Sequence, residues 1–407
     1  MSLEIRPMTV GEIEESEFIS SYAFNGPDRR DLARAAERSA KFFPTDWSLA
    51  SFENGEMTAY LRTLPMVSRI NGHGLRYGGI GPVVSLPQHR RKGHVGALLR
   101  EALKVMREHG QVLSGLHTPH PTLYQRFGWE IASERRTYTF PPKEMVLKSE
   151  PSERGTTRML KPGDWPQADR VYRQHSAQRN GPLHRNDVWW RDRILSLDAP
   201  VPADIALWED SQGEPQGYVI YHQPLATQRD EYMADFWVRE LVALTSDAYR
   251  NLLQYLARHD IVKEITWDAP ADDPFLSVID DARHVKTAVR YDLLNRICDV
   301  EQALRQRPPI APEARLSLTL EVRDDTAPWN DGRWRIEVAD GAVEVEQTDA
   351  QPDLTLAATT LAPIFNGYLS ASAAAFAGRL EVHDADALAT ANAVFATSHP
   401  PYCADTF

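Results

Sequence analysis

The spacing of apolar residues alternates along this chain between the period of a strand and that of a helix. In a first block, residues 1–150, the pattern predicts a helix over Glu12–Phe24 and a strongly amphipathic helix over 93–109. Asn71-Gly72, between two alternating segments, predicts a hairpin turn. The strands predicted in this block are Thr58–Ile70, Gly74–Ser85, Val112–Leu116 and one near Arg135–Phe140.

Residues 156–300 form a second block that repeats this order more weakly, which indicates an internal duplication. Its long helix follows the turn Ala243–Tyr249, which contains no glycine, so we expect the two copies to differ there. The predicted elements are helices at Asp164–Ser176, Asn186–Leu195 and Ala248–His259, and strands at Ile205–Trp208, Gly217–His222, Val238–Leu244 and Val262–Asp268.

A third block, residues 308–407, begins at Pro308-Pro309. Its pattern is typical of an α+β domain with one antiparallel sheet, so the fold class expected for the whole chain is α/β and α+β. The predicted strands are Arg315–Val322, Arg333–Val338, Ala342–Gln347 and Leu354–Ala357, and the predicted helices are Leu361–Asn366 and Ala385–Phe395.

The composition is that of a globular protein of two or three domains, with 407 residues, 42% of them hydrophobic and 25% charged. The first 17 residues are rich in glutamate, which excludes the apolar core of a signal peptide, and no apolar run reaches the ~18 residues of a membrane helix. Cys298 and Cys403 have no metal-ligand spacing. We therefore expect a cytoplasmic protein without a membrane partner and without a metal.

The formal net charge of −12 argues against nucleic acid as a partner, because phosphate binding needs a basic surface. A negative field favours a cationic substrate. Acidity that serves only solubility explains the charge equally well, so charge alone does not decide between them.

The segment from Gly81 to Gly96 carries the clearest chemical signal. A strand containing Gly81-Pro82 predicts a bulge that leaves backbone groups at Val83–Ser85 open to an amide-bearing ligand. The basic turn Arg90–Gly93 then enters the amphipathic helix, and a basic helix N-terminus binds anions such as a pyrophosphate. An ordinary basic surface turn is the alternative, and the strand, glycine and helix around the turn favour the anion site.

Pro87, Arg90–Gly93 and the Leu-Leu helix resemble the acetyl-CoA motif of the GNAT N-acetyltransferases. Where that motif usually has a second Gly or Ala, this chain has Val95, and Gly96 follows it. The resemblance implies acetyl-CoA as co-substrate. The residues assigned to the cofactor are Val83, Val84, Ser85, Arg90, Arg91, Lys92, Gly93, His94, Val95, Gly96, Pro119 and His120.

Tyr124 precedes Gly128-Trp129 with the spacing of a tyrosine that, in GNAT enzymes, sits near the thioester sulfur. A phenol within hydrogen-bond reach supplies the proton that a departing CoA thiolate needs, so we predict a general acid. A core tyrosine with a capped hydroxyl is the alternative. His117 and His120 are weaker candidates for a base.

The order of the three blocks resembles the Eis (enhanced intracellular survival) acetyltransferases, which have two GNAT-like domains followed by a sterol-carrier-protein-like domain. The strongest support is His89–Gly93, Tyr124–Gly128 and the final Phe407. The sterol-carrier likeness depends on Pro352–Leu356, Asn366-Gly367 and Gly378–Val382. The resemblance extends along the whole chain, and it implies that the domains are 1–150, 156–300 (without the cofactor motif) and 308–407.

The Eis resemblance also implies a function. The main-chain carboxylate of Phe407 is expected to act as general base, and the protein to be a homohexamer that acetylates primary amines of aminoglycoside-like molecules, with lysine side chains as further acceptors. Candidate substrate contacts are Phe24, Asp28 and Asp405. The alternative function is a non-catalytic protein that binds a lipid or another ligand through its C-terminal domain.

Overall fold

Three β-sheets organise the computed structural model of this chain, which describes residues 3–24, 32–196, 202–223 and 236–407. The strands of these residues are β1 Glu4–Pro7, β2 Leu49–Glu53, β3 Glu56–Ile70, β4 His73–Ser85, β5 Leu113–His117, β6 Glu130–Ile131, β7 Glu134–Phe140, β8 Thr156–Met159, β9 Asp204–Glu209, β10 Pro215–His222, β11 Phe236–Ala243, β12 Ile265–Pro270, β13 Lys286–Tyr291, β14 Leu293–Ile297, β15 Leu316–Arg323, β16 Gly332–Ala339, β17 Ala342–Gln347, β18 Leu354–Ala357 and β19 Leu380–Val382.

The predicted α-helices form with ends that differ by at most three residues, apart from the one over Asn186–Leu195, and the described residues contain further short helices. They are α1 Glu12–Ala23, α2 Leu32–Ala40, α3 His94–Glu108, α4 Pro121–Gln125, α5 Pro166–Ser176, α6 Ser246–Ala257, α7 Phe275–Val278, α8 Val300–Gln306, α9 Ala358–Phe365, α10 Ala371–Phe376 and α11 Ala387–Val394. A π-helical segment, Trp189–Ile194, stands where an α-helix is predicted over Asn186–Leu195.

Two compact units make up the chain, and neither is a single stretch of sequence. The first unit contains Met1–Ala132, Leu293–Thr397 and Phe407, and the second contains Ser133–Asp292 and Ser398–Thr406. The first unit holds a seven-stranded sheet of order β1-β2-β3-β4-β5-β14-β6 and a five-stranded sheet of order β17-β16-β15-β18-β19. The second unit holds a seven-stranded sheet of order β13-β7-β12-β11-β10-β9-β8.

The two seven-stranded sheets have the same topology, which confirms the predicted internal duplication. In each sheet, the second strand of a long antiparallel hairpin pairs in parallel with the strand that follows an amphipathic helix. These parallel pairs are β4 with β5 and β11 with β12. The next strand in each sheet comes from the other half of the sequence. In the first sheet β14 pairs with β5, and in the second sheet β7 pairs with β12. The sequence pattern predicts β7 as a strand but carries no signal for this exchange.

The hairpin of β3 and β4 forms as predicted. Its turn residues Asn71 and Gly72 have φ of 46° and 81°, the left-handed conformation that a two-residue hairpin turn requires. Antiparallel pairing then runs from Ile70↔His73 to Ala59↔Ser85, with a register shift between Leu61 and Thr63.

Helix α3 closes one face of the first sheet with the predicted apolar stripe. Leu98, Leu99, Ala102, Leu103 and Met106 are all fully buried. They pack in one cluster with Leu61 and Ile80 of the sheet and with Trp129. Burial of such side chains contributes about 1.5–3 kcal/mol each, so the stripe fixes α3 and the turn before it on the sheet.

The five-stranded sheet is mixed, and the expected single antiparallel sheet is wrong in one pair. Strand β15 pairs antiparallel with β16 but parallel with β18, because the short loop after β17 carries the chain past β16 and β15, and β18 enters the sheet on the far side of β15. Helices α9 and α10 separate β18 from β19, which pairs with it antiparallel.

Candidate functional site

Strands β4 and β5 diverge at the centre of the first sheet. They pair in parallel only over Tyr77–Gly79 and Leu113–Gly115, while β4 continues to Ser85. The register shift against β3 falls at Gly81-Pro82, where the sequence predicts a bulge. Beyond Gly79 the β5-facing edge of β4 is therefore open for a ligand that carries amide groups, and Val83 and Ser85 are half-buried there.

The basic turn that follows β4 has the backbone of an anion site. A 3₁₀ turn at Pro87–His89 leads to Arg91 with φ of 63° and to Gly93 with φ of 91°, the N-cap of α3. A left-handed residue in a turn brings successive N–H groups to the same side of the chain, where they form a concave nest for anions. Arg90, Arg91 and Lys92 are exposed.

A hydrogen bond sets the position of this turn. Arg90 Nε donates to the carbonyl of Ser85 at 3.1 Å, which ties the turn to the end of β4. Gly93 has open space where a Cβ would be, so a ligand can approach its main chain closely.

The last residues assigned to the cofactor differ in their surroundings. Val95 is half-buried at the start of α3. A Cβ on Gly96 would meet the Phe127 ring at 2.7 Å, so the structure explains this glycine by helix packing. Pro119 and His120 are exposed between β5 and α4, and the His120 N–H donates to Thr118 Oγ1 at 2.9 Å.

Tyr124 lies in the cluster that joins the open edge to α3. Its ring is buried with Ile80 and Leu116, and Val83 and Val95 pack against the same cluster. Burial raises the pKa of the Tyr124 phenol to about 12, and a hydrogen bond with the Thr118 side chain opposes the rise. The phenol is therefore fully protonated at neutral pH and able to donate a proton.

Phe407 lies at the divergence of β4 and β5. A Cβ on Gly81 would be 3.2 Å from the Phe407 carboxyl oxygen, and a Cβ on Gly79 would be 2.9 Å from the Phe407 ring. The ring centroid is 5.1 Å from that of His117 and 6.3 Å from that of Tyr77, both in edge-on geometry. Two glycines of β4 thus make room for the last residue of the chain.

Comparison with protein families identifies the domains. Two domain families, each described as "Acetyltransferase (GNAT) domain", match residues 4–132 and residues 181–302. A third family, "Sterol carrier protein domain", matches residues 300–404. The two acetyltransferase matches together include more than half of the chain. The chain belongs to the GNAT acetyltransferases.

Relatives of this GNAT protein carry names that agree with its domains. An uncharacterized N-acetyltransferase of Streptomyces griseus is 28% identical over 438 residues, which include 100% of both chains. N-acetyltransferase Eis of Mycobacterium tuberculosis is 27% identical over 335 residues, 81% of this chain and 80% of that one. These relatives confirm the expected resemblance to the Eis proteins.

Solved structures of similar fold extend over the whole GNAT chain. Eis1 from Mycobacterium abscessus has a TM-score of 0.82 at 24% identity, with 100% of both chains included. A probable N-acyltransferase from Enterococcus faecalis has a TM-score of 0.88 at 23% identity, again with 100% of both chains included. At these identities the likeness establishes the fold: two GNAT domains and then a sterol carrier protein domain.

The second GNAT domain has a different turn at the place of the basic loop. Strands β11 and β12 also diverge, since they pair only over Phe236–Val238. The Thr245 side chain caps α6 by accepting from the Ala248 N–H at 3.1 Å, which satisfies a donor that a phosphate would otherwise use. Tyr402 and Ala404 of the C-terminal segment line the cavity of about 400 Å³ there.

Two of the three candidate substrate contacts lie in the described residues. Phe24 is 59% exposed at the end of α1, and Asp28 lies outside the described residues. The Asp405 carboxylate is fully buried and accepts from Arg185 Nε at 3.0 Å and Trp189 Nε1 at 2.8 Å, and its contact with a substrate stays a prediction. Asp405 anchors the C-terminal segment in the second unit.

Sequence reasoning missed the network that holds Asp405. Arg185 is also fully buried and donates from both terminal nitrogens to Glu240, at 2.8 and 2.7 Å. Tyr218 donates to Glu240 at 2.6 Å. These residues are far apart in sequence, and only their charge in otherwise apolar segments hints at them.

Proposed function

We propose that this GNAT protein transfers the acetyl group of acetyl-CoA directly to a primary amine of a cationic small molecule. The observation that carries the proposal is the position of the Phe407 carboxyl group beside Gly81, where β4 leaves β5. A carboxylate at the start of an open strand edge is suited to take a proton from an amine that approaches a thioester bound along that edge.

The CoA part of the proposal is supported by the edge and the turn together. The amide groups of a pantetheine arm would pair with β4 at Val83–Ser85, and the pyrophosphate would lie on the N–H groups of Gly93 to Gly96. The exposed side chains of Arg90, Arg91 and Lys92 add positive charge beside that helix N-terminus.

The protons balance with two groups of the chain. The Phe407 carboxylate accepts a proton from the substrate ammonium, and the free amine attacks the thioester carbonyl and forms the C–N bond. The nitrogen of the tetrahedral intermediate then loses its second proton to solvent, and Phe407 releases the first proton to solvent as well. The C–S bond then breaks, and Tyr124 donates its phenolic proton to the departing thiolate before it regains one from solvent. A phenol with a pKa of about 12 keeps this proton until the thiolate forms.

The acceptor proposal is supported by charge. The net charge of −12 favours a cation, and aminoglycoside-like polyamines and lysine side chains present the required primary amines. We include a cytoplasmic homohexamer in the proposal. Among the described residues, no helix combines the length and hydrophobicity needed to cross a membrane.

Calorimetric titration of the full chain with acetyl-CoA tests the cofactor site. Arg90→Gln with Lys92→Gln should weaken binding at least about tenfold, since each charge-assisted contact to a phosphate is worth about 1.5–3 kcal/mol. The matched control is Lys104→Gln on the exposed face of α3, where Lys104 pairs with Glu101 at 2.8 Å.

A panel of amines, with thiol release as the readout, tests the reaction itself. Turnover with polycationic amines and none with neutral hydroxyl compounds supports the proposal. Absence of acetyl-CoA binding to the wild-type chain would refute it and leave a ligand-binding protein that acts through its sterol carrier protein domain. Light scattering checks the hexamer.

A further inference from the structure

Three metal-ligand side chains meet beside the basic turn. Glu53 ends β2, His89 lies in the 3₁₀ turn before Arg90, and His94 is the first residue of α3. One ligand atom from each lies within 4.8 Å of the other two. The closest approaches are His94 Nε2 to Glu53 Oε1 at 3.6 Å and His89 Nδ1 to Glu53 Oε2 at 4.0 Å.

The two imidazoles are buried without hydrogen bonds. His89 is 8% exposed and His94 is 3% exposed. Neither ring nitrogen of either residue has a hydrogen-bond partner among the described residues. A buried polar group without a partner is destabilising, and a cation bound by one nitrogen of each imidazole would satisfy two of these four atoms.

The orientation of His89 is that of a metal ligand with an outer carboxylate. Its Nδ1 faces Glu53, and its Nε2 lies 3.6 Å from Glu56 Oε1 on the opposite side of the ring. A carboxylate that accepts from one imidazole nitrogen fixes the tautomer in which the other nitrogen presents a lone pair. At 3.6 Å Glu56 makes no hydrogen bond with His89 Nε2, and a small shift of its exposed side chain would form one and leave His89 Nδ1 free to coordinate.

We propose that Glu53, His89 and His94 bind a divalent cation of the zinc class. Two imidazoles and one carboxylate are a ligand set that zinc uses with a fourth, open position. Zinc ligands about 2.0–2.1 Å from the ion are about 3.3 Å apart in a tetrahedron, so the three groups close in by no more than about 1.5 Å on binding. The open position takes water.

The cation would act on the turn between its ligands. Lys92 Nζ lies 3.5 Å from Glu53 Oε2, so this lysine shares the carboxylate that the cation uses. Coordination of Glu53 neutralises that carboxylate and releases Lys92 toward solvent. Because His89 and His94 flank residues 90–93, their binding to one cation fixes both ends of this turn. The site therefore orders the turn without contact between the cation and a substrate.

Binding of zinc alone to the untagged full chain tests the site. After treatment with a chelator, the chain is titrated with Zn²⁺ against a chromophoric competitor, and separately with Co²⁺ to record its d–d absorption. The variants are Glu53→Gln and His94→Gln. The matched control is His109→Gln, which removes an exposed histidine that lies 3.6 Å from Asp46.

We expect one zinc ion per chain, and an affinity that falls more than about 100-fold in both variants, beyond the 10–100-fold typical of outer-shell partners. The control should bind as the wild type does. Weak binding by the wild type, or equal binding by all four chains, overturns the proposal.

If a variant does not fold, the cobalt spectrum of the wild type still tests whether the metal site exists. An intense four-coordinate spectrum of the wild type, abolished by one equivalent of zinc, supports the site, and the weak spectrum of six-coordinate cobalt refutes it. Acetyl-CoA titration of the same metal-free chain is independent, so failure here leaves the proposed acetyl transfer untouched.

Discussion

Phe407 packs against Gly79 so closely that a methyl group on this glycine would lie 2.9 Å from two carbons of the ring. The same strand leaves room at Gly81 for the carboxyl group of Phe407. The last residue of the chain is therefore held by its ring as well as by its backbone, and small changes in β4 should alter the position of the proposed base.

Replacement of Gly79 by Ala should lower turnover by up to about 100-fold, because a displacement of about 1 Å at a reacting group has an effect of that size. Steady-state kinetics at saturating acetyl-CoA measures it. Gly11→Ala is the control, since no atom lies within 4 Å of a Cβ at that position. Equal turnover of both variants would contradict the close contact.

Addition of two glycines after Phe407 should abolish turnover and leave the melting temperature unchanged, because the added residues replace the carboxylate beside Gly81 with a neutral amide. The same two residues at the other end of the chain serve as control. An extended chain that remains active shows that the carboxylate does not act as the base.

Tyr124→Phe should lower turnover about 10²-fold with little change in acetyl-CoA affinity, as expected for the loss of a general acid. The pH profile separates this role from packing. Since burial raises the pKa of Tyr124 to about 12, the wild type should show no alkaline loss from this group below about pH 11.

The pKa of Tyr124 also links its burial to stability. The folded state binds the phenolic proton more tightly than the unfolded state does. The contribution of this proton to the free energy of unfolding is therefore complete below pH 10 and is lost as the pH rises toward about 12. In Tyr124→Phe this part of the alkaline destabilisation should disappear. Unfolding by guanidinium across pH 9–12 measures the difference.

Asp405→Asn should destabilise the second unit by about 1–3 kcal/mol, because it weakens the buried hydrogen bonds that Arg185 and Trp189 donate to this carboxylate, while Glu240 still pairs with Arg185. Chemical denaturation monitored by tryptophan fluorescence is the measurement, since Trp189 donates to Asp405. Thr406→Ala, at the exposed next residue, is the control and should have no effect. A small loss in Asp405→Asn would mean that the segment is held elsewhere.

Cys298 and Cys403 should not react with a thiol reagent in the native chain. Both are free and buried, and burial raises the pKa of the Cys298 thiol to about 12 and that of Cys403 well above its ordinary value. Two thiols per chain should appear only after denaturation. Reaction of either thiol in the folded chain would show that its surroundings open to solvent.

The sequence determined the local elements and the cofactor motif. The apolar stripe of α3 and the Asn71-Gly72 turn are local patterns, and local backbone preference and burial of one face fix the result. The bulge at Gly81-Pro82 was predictable for the same reason, because it depends on the residues themselves.

Only the tertiary structure decided which distant residues meet. The exchange of β7 and β14 between the sheets, the burial of Asp405 against Arg185, and the cluster of Glu53 with His89 and His94 join positions up to 220 residues apart. The hydrophobic period of a segment indicates which of its faces is buried. It does not indicate which strand packs against that face. The packing of the whole chain decides which distant residues meet, which is why the position of Phe407 beside Gly81 became visible only in three dimensions.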